Sequence, residues 1–180
     1  MQQPENSRVR SGETKRHNSQ RTILAGAAGA FALDGYADTT LVSLVSELNK
    51  VSTATLLNHF ETKSTLGLAV IDSTYSSMVK NEAYQSKVAS VHGSTMLFAE
   101  TLGFYSGVFS ALTDEMARTG KPLAALLPNV HESISTAANS DETADICISL
   151  AIAAAMCGGE SNEQAQATLS IMLDGIVPKT

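Results

Sequence analysis

Three short segments decide how this chain folds: Arg21–Phe31 (RTILAGAAGAF), Gly35–Thr40 (GYADTT) and Val51–Phe60 (VSTATLLNHF). In the first, Ile23, Ala27 and Phe31, flanked by Leu24 and Ala28, recur at helical spacing and make one apolar face. Gly35 is a good helix stop, and Tyr36 is expected to pack back onto the helix it follows. Leu41, Leu44, Val45 and Leu48 then fall at i, i+3, i+4 and i+7, an amphipathic pattern that either Thr39 or Thr40 can cap. Asn49-Lys50 makes a turn, Val51 inserts between helices, and Ser52 caps a third helix over Thr53 to Phe60. Leu56 and Phe60 point inward there, which leaves Thr53, Thr55 and Asn58 facing out. Short helices joined by a tight turn, the last with small polar side chains outward, are the layout of a helix-turn-helix DNA reader.

Outside these segments the 180-residue chain is apolar and acidic, with a net charge of −6 that by itself argues against nucleic acid. The charge is unevenly spread. Residues 1–80 hold eight Lys/Arg against seven Asp/Glu, whereas residues 81–180 hold four against eleven. Arg8, Arg10, Lys15, Arg16 and Arg21 crowd the first 21 residues. Residues 1–18 are therefore expected to be a flexible basic arm that reaches phosphates or a minor groove. High aliphatic and alanine content, few aromatics and no Trp favour helices over sheets.

No apolar run is long enough for a membrane span, and Met1–Gln20 lacks a secretory apolar core, so a cytoplasmic location is expected. Cys147 and Cys157, ten residues apart on one expected helix, are too distant to bridge each other and read as buried thiols. His17, His59, His92 and His131 are scattered without ligand spacing. Neither a nucleophile elbow nor a phosphate loop is present, and Asp114-Glu115 and Asp141-Glu142 read as helix-end charges. An enzyme is not expected, nor a cofactor or metal.

The periodicity predicts an all-α chain of some nine helices. A first helix starts near Ser19. A fourth, capped by Thr62, runs from Lys63 to about Val88, where Val91-His92-Gly93 breaks it. Four more cover about 94–117, 122–137, 142–157 and 162–176, separated at Thr119–Pro122, Ala138–Asp141 and Gly158-Gly159. The expected division is an arm over 1–18, a three-helix DNA-binding domain over 19–66 and a C-terminal helical bundle over 67–180.

The N-terminal residues resemble the tetracycline-repressor (TetR) family of transcription regulators over about residues 20–72. Three features carry the likeness: the helix ending at Phe31 with Gly35-Tyr36, the Thr39-Thr40 start of the second helix, and Val51-Ser52-x-x-Thr55-Leu56-x-x-His59-Phe60-x-x-Lys63. A weaker similarity links Gly158-Gly159 and Asp174–Pro178 to the γ-butyrolactone-receptor branch, which tends to use a Trp absent from this chain. That family usually has Gly where Lys50 stands and Tyr where Leu57 stands. Its Tyr hydroxyl normally reaches a phosphate; Leu57 cannot, and Lys50 is placed to supply a replacement charge.

The resemblance implies a TetR-like all-α fold and a homodimeric repressor of a palindromic double-stranded DNA operator, released by a small molecule. Side-chain chemistry makes Thr53 and Asn58, with Thr55 close by, the candidates for base edges, because Asn pairs with adenine and a Thr methyl touches thymine. Thr40, Ser52, His59 and Lys63 suit phosphates. No Arg lies on the recognition helix, so the commonest guanine contact is missing. Phe98, Leu102, Tyr105, Phe109, Met116 and Leu126 are expected to line a pocket for a small, mostly apolar effector. Ile148, Ile152, Met156, Leu169, Met172 and Ile176, on helices apolar nearly all round, are expected at the dimer interface. The competing expectation is a co-regulator of the same fold that has lost DNA binding and acts through protein partners.

Overall fold

A computed structural model describes residues 5–48, 51–105, 107–157 and 162–177, with side chains described for all of these except 5–11, 157 and 162. The described residues form eleven α-helices and no strand. Four make the N-terminal part: α1 (Glu5–Leu33), α2 (Leu41–Glu47), α3 (Thr53–His59) and α4 (Lys63–Val79). After a 3-10 turn at Glu82–Tyr84 come α5 (Gln85–Val88), α6 (Val91–Gly103), α7 (Phe109–Thr119), α8 (Leu123–Leu126), α9 (Pro128–Ala138), α10 (Asp141–Cys157) and α11 (Asn162–Ile176).

The first apolar stripe becomes one wall of the N-terminal core. Ile23, Ala27 and Phe31 are fully buried, and Tyr36 folds back edge-on to Phe31 with ring centroids 5.2 Å apart. The chain leaves α1 through Gly35 at φ 83°. Thr40 caps α2 reciprocally with Ser43, Ser52 caps α3 through the Thr55 amide, and Thr62 caps α4 through the Thr65 amide. Each cap is worth about 1 kcal/mol, whereas fully burying one Leu contributes about 1.5–3 kcal/mol. Leu56 is fully buried, with Val51 and Phe60 nearly so. Tertiary burial, then, holds a seven-residue α3 that would not persist alone.

Helix α1 differs most from expectation. It begins at Glu5, not near Ser19, so residues 5–18 of the expected flexible arm continue the helix. Glu5, Arg8, Arg10, Glu13, Lys15 and Arg16 are good helix formers, interspersed with weaker ones such as Asn6, Ser7, Ser11, Gly12 and Thr14. Residues 1–4 lie outside the described residues, as do Asn49, Lys50, Gly158, Gly159 and Pro178.

The C-terminal helices are more broken than the periodicity predicted. Helix α4 stops at Val79, because Asn81 turns its side-chain oxygen onto the Ala83 amide, 3.0 Å away, and starts a new turn. The expected 94–117 helix divides at Gly103–Val108, and 122–137 divides at Pro128, which has no N–H to continue α8. Val91-His92-Gly93 is no break. It is the first turn of α6, capped by Ser90. Gly93 serves there for closeness, since a Cβ would collide with the Lys87 carbonyl of α5.

One side chain ties the bundle together across a long stretch of sequence. Asp72, nearly buried on α4, accepts from the Asn129 and Val130 amides at 2.9 and 3.2 Å and from the Asn129 side-chain amide at 2.5 Å. Leu127 offers α9 no side-chain cap, so Asp72 caps that helix from outside. Burial pushes its carboxyl upward, the three N–H donors pull it back, and the net shift is upward.

Candidate nucleic-acid interface

The candidate reading surface is α3 and its flanks. With Val51, Leu56 and Phe60 turned into the core, Ser52, Thr53, Leu57 and Asn58 are exposed, and Thr55 and His59 are half-buried. Helical geometry places Ala54 and Asn58 opposite 56 and 60, and Thr53 is exposed at the first position of the helix, just after its Ser52 cap. Thr55 is less free than expected: its hydroxyl shares a 2.8 Å hydrogen bond with Ser52. Thr40 is exposed but commits its hydroxyl to the α2 cap. Lys50 lies outside the described residues.

Lys63 also departs from expectation. Its ammonium donates to the Ala37 carbonyl at 3.0 Å and stands 4.3 Å from the centroid of the Tyr36 ring. Partial burial there lowers its pKa. The residue expected to hold a phosphate therefore clasps the α1–α2 connection onto α4, and an incoming phosphate would have to compete with a carbonyl and an aromatic face.

The same region joins the reading surface to the bundle. The division at 66/67 falls inside α4, which runs through it unbroken. Tyr36 lies so close to α4 that a Cβ on Gly67 would stand 2.8 Å from its ring. On the other side α7 presents Glu115, expected as a helix-end charge but in fact only 3% exposed. Arg118 grips it with two nitrogens at 2.6 and 3.0 Å and reaches Glu61 at 3.6 Å. The Arg118 hydrogen bonds hold the Glu115 carboxyl below the usual glutamate range, with further help from Lys121 and Thr62. A lowered folded value means stability that is full above the ordinary 4.5 and is lost as pH falls through the folded value. Urea unfolding of the wild type and Glu115→Gln, at about pH 7 and about pH 3, should show the wild-type advantage shrinking in acid. An equal gap at both pH values would mean the pair adds nothing beyond packing.

The expected effector residues differ in exposure. Phe98, Leu102 and Tyr105 are buried in the core, with the Tyr105 hydroxyl 2.8 Å from Thr74. Phe109 and Leu126 are half-buried, and Met116 is 39% exposed. A cleft of about 530 Å³ opens elsewhere, between the C-terminal end of α4 (Ser76, Val79, Lys80), the end of α5 (Val88, Ala89) and α9 (including Asn129, Glu132 and Ser133). Its lining mixes charge, amide and hydroxyl groups with small apolar side chains. Sequence periodicity could not show it, because its residues come from three separate helices that only packing brings together.

The expected dimer residues divide into two sets. Ile148, Ile152 and Leu169 are buried within the chain's own core, because α10 packs on α6 and α9 as well as on α11. Met156, Met172 and Ile176 are exposed, and so are Ile146 and Ile171, the latter at 75%. The unpartnered apolar surface of α10 and α11 thus keeps three of the six and gains two. Cys147 is fully buried, and burial raises its thiol pKa away from reactivity. No described helix is long and apolar enough to cross a membrane. No family model, curated protein or solved structure matches the chain.

Proposed function

We propose that this chain is a one-component transcription regulator of the tetracycline-repressor type, a homodimer whose α2–α3 unit reads a palindromic DNA operator. The observation that carries the proposal is the clean division of α3. Leu56 is spent on the core with the flanking Val51 and Phe60, and Thr53 and Asn58 stand exposed behind a capped N-terminus, with Leu57 exposed beside them. Such side chains suit base edges, Asn58 through bidentate pairing with adenine and Thr53 through its methyl. Two linked copies compensate for the modest affinity of one Arg-less helix. The exposed apolar surface on α10 and α11 supplies the second-copy contact.

Release by a small molecule fits the cleft at the far end of α4. One end of that helix is clasped to the reading unit by Lys63 and Tyr36, and the other lines the cleft. A molecule that binds one position of α4 more tightly than another shifts the population between them. The mixed lining favours an effector with polar groups over the mostly apolar one expected from the sequence.

Selection of bound sequences from random duplex DNA at two salt concentrations tests the proposal. A palindromic consensus bound more tightly at low salt supports it. A folded dimer that enriches nothing overturns it and leaves the co-regulator reading, which exposed Leu57 on the same face would serve. On the selected site, Asn58→Ala should lose about 1–3 kcal/mol of discrimination at one base pair, with little change on random duplex. Equal loss on both DNAs would remove Asn58 from base reading.

A further inference from the structure

Helix α3 carries no Arg, but α1 brings one to it. Arg16 lies seven residues before Ile23, which is fully buried in the core. Seven residues are nearly two helical turns, so Arg16 shares the face of Ile23 about 10 Å further along the axis. That face overhangs the end of α3, where Arg16, Thr55, Asn58 and His59 line one cleft of about 470 Å³. Three of the four side chains carry N–H donors, Thr55 adds a hydroxyl, and no carboxylate is among them. Arg16 and Asn58 are exposed, and neither side chain forms an ion pair or hydrogen bond with another described residue. The cleft therefore presents an unneutralised guanidinium and a free amide beside an imidazole, a donor set that suits a singly charged, multiply accepting oxyanion.

We propose that this cleft binds one phosphodiester of the DNA backbone, with Arg16 as its principal cation and His59 at its edge, while Asn58 at the rim is left for the base. The inference rests on the reading of α3 as a DNA-contacting helix and adds a residue from a different helix to that contact. The rigid continuation of α1 is what makes it work. Anchored through Ile23, Ala27 and Phe31, the helix holds the guanidinium at a fixed place relative to α3, and a flexible arm could not. A contact to phosphate carries no base information, so Arg16 strengthens binding to every sequence and sets the register in which Asn58 meets its base.

The test uses the full chain and compares wild type, Arg16→Gln and Arg16→Lys on the selected operator and on random duplex across a salt series. Arg16→Gln should bind both DNAs about tenfold more weakly at low salt, and the slope of its salt dependence should flatten by about 0.9 for each phosphate that Arg16 neutralises. Arg16→Lys should recover most of the slope. A duplex with an uncharged methylphosphonate at the contacted phosphate should weaken the wild type but not Arg16→Gln further. Arg16 is exposed, so an unchanged thermal melt serves as the folding control. Unaltered affinity and slope in Arg16→Gln would overturn the proposal while leaving DNA reading by α3 intact. So would a change of base preference without a change of slope. Inorganic phosphate that perturbs the Asn58 and His59 resonances only when Arg16 is present, alongside unaltered duplex binding, would instead mark a free-anion site and equally overturn it. Failure of the wild type to bind any duplex removes both this contact and the function it rests on.

Discussion

Asp72→Ala should lower stability by about 3 kcal/mol, the largest single-residue effect expected from any polar side chain here. The carboxylate satisfies two backbone amides and one side-chain amide at the start of α9. Alanine leaves the Val130 amide, in a buried setting, with no acceptor, and each such stranded donor costs about 1–3 kcal/mol. The loss does not measure the value of the buried charge. Its pKa is raised, so ionisation of Asp72 itself works against the fold, and the folded state gains as the carboxyl protonates in acid. Removing the acceptor is what harms. For a chain of this length the melting temperature should fall by about 10 °C. Asp72→Asn should fall between the two, since its oxygen still accepts one amide while its NH2 faces the Asn129 donor. A melt within a degree or two of wild type for Asp72→Ala would mean that water replaces the carboxylate without loss.

On the proposed dimeric reading, Ile171→Glu should yield a monomer and weaken operator binding by about 100-fold or more, with an unchanged melt of the monomer fold. Ile171 is 75% exposed, so a charge there disturbs no internal packing, but it would be buried without a partner between two copies. Once separated, two reading heads lose the effective concentration that links their half-sites, a term of about 10² to 10⁴. Sedimentation and titration of the selected operator read the two effects. Ile148→Ala provides the opposite case. Fully buried in its own chain, it should cost about 2–5 kcal/mol of stability without first dissociating the dimer. Ile171→Glu that sediments as a dimer would place the interface on another face.

The two isoleucines show where sequence reading stopped. Both stand on helices that are apolar nearly all round, and periodicity alone cannot say which stripe meets the chain's own helices. That choice depends on how α10 lies against α6, α9 and α11. Glu115 and Lys63 are similar cases. One reads as a helix-end charge and the other as a phosphate contact, until α7 and the α1–α2 connection are brought against α4.

What the sequence determined by itself is the local grammar: an all-helical chain, the caps at Thr40, Ser52 and Thr62, the stop at Gly35 and the inward set Ile23, Ala27, Phe31, Leu44, Leu56 and Phe60. These are legible because a cap joins residues three apart and an amphipathic face repeats every 3.6 residues, so cause and effect sit within one window. The tertiary structure alone decided that Asp72 caps α9, that Gly93 is a close approach and not a break, and that Arg16 stands over the end of α3. Each of these joins groups on separate helices, and only the packing of those helices brings them within the few ångströms over which hydrogen bonds, steric contact and charge act.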